Sequence, residues 1–333
     1  MTSEITPAPG AGITLLVNPA AGRGRGARAA APAATALRDA GFDVRTVAGT
    51  DAPDALRLAR AAVAGGTGAL VAVGGDGMVS LALQAVAGTD VPLGVVAAGS
   101  GNDYARALGL PLAAPAAGAR LVADVLKGPG PRRVDLGRAA GRWFATVLAS
   151  GFDSRVNDRG NRMRLTVGRF RYEIAMLAEL AALAPVPYRL TLDDGAEQEV
   201  EATLVAVGNT SSYGGGLRMC PGADWEDGLF DVTVVGPCSR TTLLGVFPRV
   251  YRGGHVGHRV VTVHRAAAVT LAAPRTSAYA DGEPLGALPL TARCVRGALR
   301  LLAPPRTGVL AGGSGGGPPG RGPGGGGRPE RSR

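Results

Sequence analysis

The sequence predicts an α/β protein in which a parallel sheet flanked by helices is followed by a mostly β second portion. Apolar, strand-like runs at 13–17, 44–47, 69–73 and 93–97 alternate with helical patterns, the order of elements that builds a parallel sheet. Three of those runs end in glycine-rich polar turns, which places a ligand outside the carboxyl ends of the strands. Past residue 134 the helical periodicity gives way to short β-rich runs separated by Gly or Asp turns.

Composition sets the outer limits. The 333 residues are 46% hydrophobic, enough for about two domains of roughly 150 residues each. The net charge of +10 is almost all arginine, with Lys127 the one lysine. Such a balance suits nucleic acid, anionic lipid headgroups or a nucleotide polyphosphate, and also follows from a general bias towards Arg, Ala and Gly. Aromatic residues make up 4% and form no stacking platform, which sets nucleic acid aside. Cys220, Cys238 and Cys294 are odd in number, far apart and in no CxxC pair, against a disulfide framework or zinc knuckle. His255 and His258 form an HxxH without a Cys or carboxylate at ligand spacing, so no metal is expected there. No apolar run is long enough to span a bilayer and no charged-then-apolar leader is present, so a cytoplasmic location is expected.

Residues 1–11 read as a loose arm. The first strand, 13–17, is followed by Asn18-Pro19-Ala20-Ala21-Gly22 and an alanine-rich helix to about residue 40. Gly22, Gly24 and Ala27 match GxGxxA, with Asp43 about 20 residues on. The match is weak because Asn-Pro-Ala-Ala separates the strand from the first glycine. An Asn-Pro turn opening onto glycines still suits an anion. Asp51-Ala52-Pro53 starts a helix after the second strand. The run 69–73 then enters Gly74-Gly75-Asp76-Gly77, and an apolar helical pattern leaves from Met78. Glycines admit close approach of the backbone to a ligand, and free N–H groups at the following helix favour phosphate oxygens. The carboxylate among them suggests magnesium. Alone, such a turn is equally an ordinary strand-to-helix connection; convergence with its neighbours favours the anion site. The run 93–97 ends in Gly99-Ser100-Gly101-Asn102-Asp103-Tyr104-Ala105-Arg106, and a helix at 115–126 follows.

The second portion carries β-rich runs at 134–136, 143–149, 188–192, 200–207 and 229–235, with an amphipathic helix at about 169–183. Arg155, Arg159, Arg162, Arg164, Arg169 and Arg171 either meet anionic lipid or nucleotide phosphate or form a solvated surface. Gly208-Asn209 and Gly214-Gly215-Gly216 precede Asp224-Trp225-Glu226-Asp227-Gly228. That DxxDG spacing turns two carboxylates and a carbonyl inward, as a hard cation requires, and is also the pattern of a surface Asp-Gly turn. Asp281-Gly282-Glu283 reads by itself as a hairpin turn. Residues 304–333 are a flexible Gly, Pro and Arg tail with no capacity for a core.

Asn18-Pro19-x-x-Gly22, Gly74-Gly75-Asp76-Gly77 and the stretch from Gly99 to Arg106, in that order and spacing, resemble the diacylglycerol kinase catalytic domain family. That family takes in bacterial diacylglycerol and other lipid kinases and the eukaryotic sphingosine and ceramide kinases, and shares its GGDG turn with NAD kinases and, more distantly, phosphofructokinases. The resemblance covers roughly residues 12 to 303. It implies a two-domain lipid-kinase fold: a Rossmann-like parallel α/β nucleotide-binding domain over 12–133, a mostly antiparallel β-sandwich lipid-substrate domain over 134–285, and strands at 286–303 returning to the first domain.

The activity implied is ATP- and magnesium-dependent phosphorylation of a lipid hydroxyl, diacylglycerol to phosphatidic acid first. The alternatives are an NAD kinase-like phosphotransferase or a kinase of a sphingoid base, phosphatidylglycerol or a polyprenol. A dinucleotide-binding oxidoreductase or a non-catalytic nucleotide sensor would use the GxGxxA turn alone. By the resemblance, ATP contacts fall on Asn18, Pro19, Ala20, Ala21, Gly22, Thr50, Gly74, Gly75, Asp76, Gly77, Met78, Val79, Ser80, Ser100 and Asn102. Asp76 and Asp103 orient catalytic magnesium, and Asp224, Asp227 and the Leu229 carbonyl hold a structural one. Glu283, with Asp281 beside it, accepts the proton. Met78 departs from the threonine usual after GGDG, and the loop at Gly49-Thr50 is about one residue short. Peripheral membrane contact is implied, a homodimer is left open, and nucleic acid is not a partner.

Overall fold

The computed structural model describes residues 12–18, 24–162, 179–180 and 182–305. The arm at 1–11, the turn residues Pro19, Ala20, Ala21 and Gly22, most of the helix expected at 169–183 with Arg164, Arg169 and Arg171, the side chain of Arg162, and the tail beyond 305 lie outside the described residues.

Alternating apolar strands and alanine-rich helices build the first half as the periodicity requires: β1 (Ile13–Val17), α1 (Arg25–Asp39), β2 (Val44–Ala48), α2 (Ala52–Ala64), β3 (Ala69–Gly74), α3 (Asp76–Val86), β4 (Leu93–Ala97), α4 (Asp103–Ala107) and α5 (Pro115–Lys127). Strands β2, β1, β3 and β4 pair in that order, all parallel. β1 and β4 are buried along their whole length, as is β3, so their sequences are continuous apolar runs rather than alternating ones. Helix α2 starts where Asp51 caps it, the carboxylate accepting the Asp54 N–H at 2.8 Å, with Pro53 in the first turn.

The second half is strand-rich: β5 (Arg132–Ala139), β6 (Arg142–Phe144), β7 (Val147–Gly151), α6 (Phe152–Arg162), β8 (Val186–Leu192), β9 (Gln198–Ala202), β10 (Leu204–Gly208), β11 (Phe230–Val235), α7 (Arg240–Val250), β12 (Val261–Ala266), β13 (Ala268–Ala272), β14 (Ser277–Ala280), β15 (Glu283–Ala287) and β16 (Leu290–Leu301). The parallel strands continue through β16 into β13, β8 and β9, with β5 and β6 branching from β16. β16 meets β4 at Leu301 opposite Leu93 and runs antiparallel to β5 and β13. A second sheet, antiparallel throughout, has the order β12-β11-β10-β7-β14-β15. Phe144, Tyr188, Leu148 and Phe230 are buried between the two sheets, the rings of Phe144 and Phe230 stacked at 5.7 Å.

Two runs that read as single strands are each cut in two. The run 143–149 breaks at Ala145 and Thr146, and the run 200–207 breaks at Thr203; each time the chain passes from one sheet to the other. Ala145 and Thr146 leave the ladder because their N–H groups donate to Asp281, both at 2.8 Å. Thr203 leaves it with its N–H on the Val235 carbonyl and its hydroxyl on that of Gly236. Among the described residues no helix is long and apolar enough to cross a membrane.

Candidate active site

The fully buried β3 drives the chain straight into Gly75, the residue that caps α3. A Cβ on Gly99 would lie 2.4 Å from the Gly75 Cα, so the turns after β3 and β4 touch backbone to backbone as only glycine permits. Asn102 fixes the second turn. It takes the left-handed conformation (φ 56°), accepts the Gly99 N–H on Oδ1 at 2.8 Å and donates Nδ2 to the Gly99 carbonyl at 3.1 Å. Its buried amide group therefore shapes the loop. Asp76, the first residue of α3, accepts the Tyr104 N–H on Oδ1 at 3.2 Å, and a Cβ on Gly101 would come within 2.8 Å of its Oδ2. A Cβ on Gly77 would meet nothing within 4 Å, so that face of the turn is open.

Two further carboxylates reach this point from far along the chain. Asp103, 8% exposed, accepts the N–H groups of Gly215 and Gly216 at 2.9 Å, tying the β4 turn to the glycine turn after β10. Asp281 and Gly282 make the two-residue turn between β14 and β15, both with positive φ, as an Asp-Gly hairpin turn requires. The Asp281 side chain accepts from Ala145 N–H, Thr146 N–H and the Thr146 hydroxyl, the last at 2.6 Å. Burial raises the pKa of Asp103 and of Asp281, the nearby Asp76 charge adds to both, and the amide and hydroxyl donors oppose the shift. The Asp76 charge thus repels both Asp103 and Asp281. Among the described residues no three His, Cys, Asp or Glu side chains converge as a metal cage. A magnesium beside Asp76 would then complete its octahedral shell with water and substrate phosphate, the usual condition for this ion.

Asp76, Asp103 and Asp281 line a cavity of about 610 Å³. The rest of its lining is mainly apolar, with Val79, Phe152, Leu204, Leu217, Met219 and Phe247, alongside the polar Asp153, Asn157, Tyr213 and His255. Tyr104 lines the same cavity, 2% exposed, with a hydroxyl that has no partner among the described residues. Asp153, on α6, faces the same cavity. Burial raises its pKa to about 6, against a hydrogen bond from the Tyr213 hydroxyl, and Asn157 Nδ2 donates to its Oδ2 at 3.2 Å. Asp153 is singled out by no spacing in the sequence, whereas Tyr213 heads the glycine run Gly214-Gly215-Gly216 that the sequence marks. A lone carboxylate two residues after the glycine that ends the apolar strand β7 is the one local sign.

The remaining predicted positions divide sharply. Val79 lines the cavity. Met78 and Ser80 are buried, Met78 within the core beside the parallel sheet, so its side chain replaces a hydroxyl without blocking the turn. Ser100 is exposed on the β4 turn, and Asn18 is exposed at the end of β1. Thr50 stands off the cavity at the start of α2, its N–H on Asp54 Oδ2 at 3.1 Å. Glu283, half-buried at the start of β15, is absent from the cavity wall, and its carboxylate makes no hydrogen bond or ion pair among the described residues.

Comparison with known proteins agrees with this architecture. Residues 12–139 match the model of the diacylglycerol kinase catalytic domain, and residues 146–303 match that of the YegS C-terminal NAD kinase beta sandwich-like domain. A diacylglycerol kinase of Mycobacterium tuberculosis is 48% identical over 297 residues, covering 88% of this chain and 95% of its own. The chain belongs to the diacylglycerol kinase catalytic domain family. A probable lipid kinase YegS-like protein of Pseudomonas fluorescens is 32% identical over 84% of this chain and 92% of its own. In fold, the chain is similar to a crystal structure of a putative diacylglycerol kinase from Bacillus anthracis, with a TM-score of 0.73 and 22% identity over 89% of this chain and 96% of that one.

The loop that in this kinase family would hold a structural magnesium is anchored here by Asp135 of β5. Its buried carboxylate accepts Gly228 N–H at 2.6 Å and Gly297 N–H at 2.7 Å, and its own N–H donates to the Trp225 carbonyl. Asp224 and Asp227 lie on one side of that loop, each accepting a loop amide: Glu226 N–H and Leu229 N–H respectively. Arg265 pairs with Asp227 and, at 3.3 Å, with Asp231. Asp227 is thus already paired with a guanidinium, and among the described residues no three His, Cys, Asp or Glu side chains gather here as a metal cage; the two carboxylates are nonetheless the hard oxygen donors that magnesium takes.

Proposed function

We propose that the protein is an ATP-dependent lipid kinase that transfers the γ-phosphoryl group to a lipid hydroxyl, with diacylglycerol as the first acceptor and phosphatidic acid as product. The observation that supports this most is a cavity whose wall joins the carboxylates of Asp76, Asp103 and Asp281 to a mainly apolar lining. A phosphoryl-transfer centre needs charge at the reacting end, and an acyl chain needs the apolar remainder.

In this reading ATP lies against the turns 18–22, 74–80 and 99–103; the glycines at 74–77 and 99–101 leave room for phosphate oxygens and the N–H groups there bind them. Asp76 is the carboxylate nearest the open face at Gly77 and holds magnesium with its waters. Bound magnesium neutralises the phosphate charge that grows in the transition state. Asp103 keeps the two glycine turns together, while Asp281 clamps the chain where it crosses between sheets. Glu283, two residues on and without a hydrogen bond or ion pair among the described residues, accepts the hydroxyl proton as the new P–O bond forms. Thr50, engaged with Asp54, contributes through the position of its loop rather than through its hydroxyl. Asp224, Asp227 and the Leu229 carbonyl hold a second magnesium that braces their loop.

The test is phosphoryl transfer from γ-labelled ATP to a panel of diacylglycerol, sphingoid base, phosphatidylglycerol, polyprenol and NAD. Labelled phosphatidic acid is the expected product. Label in NADP alone would overturn the lipid reading.

A further inference from the structure

Helix α7 is apolar on two faces. Leu243, Val246 and Val250 turn inward and line the cavity, while Leu244, Phe247, Pro248 and Tyr251 follow the i, i+3, i+4, i+7 stripe that would normally face a core. Here that stripe meets solvent at Leu244, 56% exposed, and Tyr251, 51% exposed, while Phe247 between them is half-buried and also lines the cavity. Tyr251 also lines the cavity, so the cavity opens to the surface beside it, with Phe247 packed edge-on against its ring at 6.0 Å. Pro248 has no N–H to give, which leaves the Leu244 carbonyl without its helical donor on the same outward face.

The charge around the stripe is of one sign. From the start of α7 through the turn that follows it, residues 240–259, the chain carries Arg240, Arg249, Arg252 and Arg259 and no carboxylate. Arg240, Arg249, Arg252 and Arg259 are exposed. A monomeric surface seldom shows an apolar helix stripe flanked by cations unless it meets an anionic, water-to-oil boundary.

We propose that α7 is the membrane-docking element of this enzyme: Leu244, Phe247 and Tyr251 enter the headgroup boundary of an anionic bilayer, the flanking arginines bind lipid phosphates, and an acyl chain passes from the bilayer into the cavity beside Tyr251. The inference rests on the lipid-kinase reading for its substrate and on surface chemistry alone for its partner.

The experiment uses the full chain, Leu244→Asp and the pair Arg249→Glu/Arg252→Glu. Each is floated with vesicles of phosphatidylglycerol and phosphatidylcholine or of phosphatidylcholine alone, and assayed on vesicle-borne diacylglycerol and on dispersed dioctanoylglycerol. Leu244→Asp should lower vesicle affinity and vesicle-borne turnover roughly 10-fold, the size expected for losing one buried leucine. Turnover of dispersed dioctanoylglycerol should stay unchanged, which also shows that the variant is folded. The arginine pair should lose the preference for anionic vesicles. Flotation of Leu244→Asp equal to the parent, an equal loss on both lipid forms, or no flotation of the parent would each overturn the proposal. A parent that floats as expected but does not phosphorylate dioctanoylglycerol would overturn the kinase reading and leave the docking surface standing.

Discussion

Two glycine-to-alanine changes a few ångströms apart separate position from space at the junction of the turns. In Gly101→Ala the added methyl would sit 2.8 Å from Asp76 Oδ2, roughly 0.6 Å short of ordinary contact, so the carboxylate or its turn must move. Misplacing a catalytic group by about 1 Å costs on the order of 10²-fold. Turnover should therefore fall roughly 10- to 100-fold with the charge intact. In Gly77→Ala the methyl meets no protein atom, and this helical glycine has no positive φ to strain. The ligand-free protein should gain roughly 0.5–1 kcal/mol, a rise of about 1–3 °C in Tm. Its KM for ATP should nonetheless rise, because the nucleotide phosphate occupies that space. Steady-state kinetics with varied ATP, beside thermal unfolding without ligand, reads both effects. Wild-type turnover in Gly101→Ala, or an unchanged KM in a stabilised Gly77→Ala, would refute the placement of the phosphates against these turns.

Asp153→Asn should raise stability at pH 8 relative to the parent. The folded-state pKa of about 6 lies above the ordinary carboxylate value, so the native state holds a proton that the unfolded chain has lost; stability present below about pH 4 declines as pH rises to about 6. Melting curves of parent and variant should converge at acid pH, and a constant gap across pH would contradict the shift. Magnesium should raise the Tm of the parent and not that of Asp224→Ala/Asp227→Ala. A parent indifferent to chelation would mean that Arg265 alone neutralises the loop. Glu283→Gln should lose roughly 10²-fold or more in kcat with Tm unchanged, as for a general base, whereas Asp281→Asn should lower Tm because it breaks the clamp on Ala145 and Thr146. The reverse pattern would exchange their roles.

The parallel strands and their turns were legible because each is a local event: a buried strand is a continuous apolar run, and the turn that follows it is written in glycine. What joins the turns was not. Asp103 meets Gly215 across 112 residues and Asp281 meets Ala145 across 136, and no periodicity reports either pairing. The passage of the chain between sheets at Ala145 and Thr203 was hidden for the same reason, since a period of two continues through the crossing. Helix α7 carries Gly245 and Pro248 and apolar residues on two faces, so it lacks the single stripe by which amphipathic helices are found. Its second stripe makes sense only once the cavity behind it is seen.

The central claim is that Asp76, where the two glycine turns meet, is the electrostatic centre of phosphoryl transfer. Transfer of label from γ-labelled ATP to diacylglycerol by Asp76→Ala, measured beside thermal unfolding, tests it most directly. The account predicts a loss of roughly 10³-fold or more with the Tm held, because among the described residues the Asp76 carboxylate makes a single long hydrogen bond, 3.2 Å to Tyr104 N–H. Near wild-type transfer by a folded Asp76→Ala protein would contradict it.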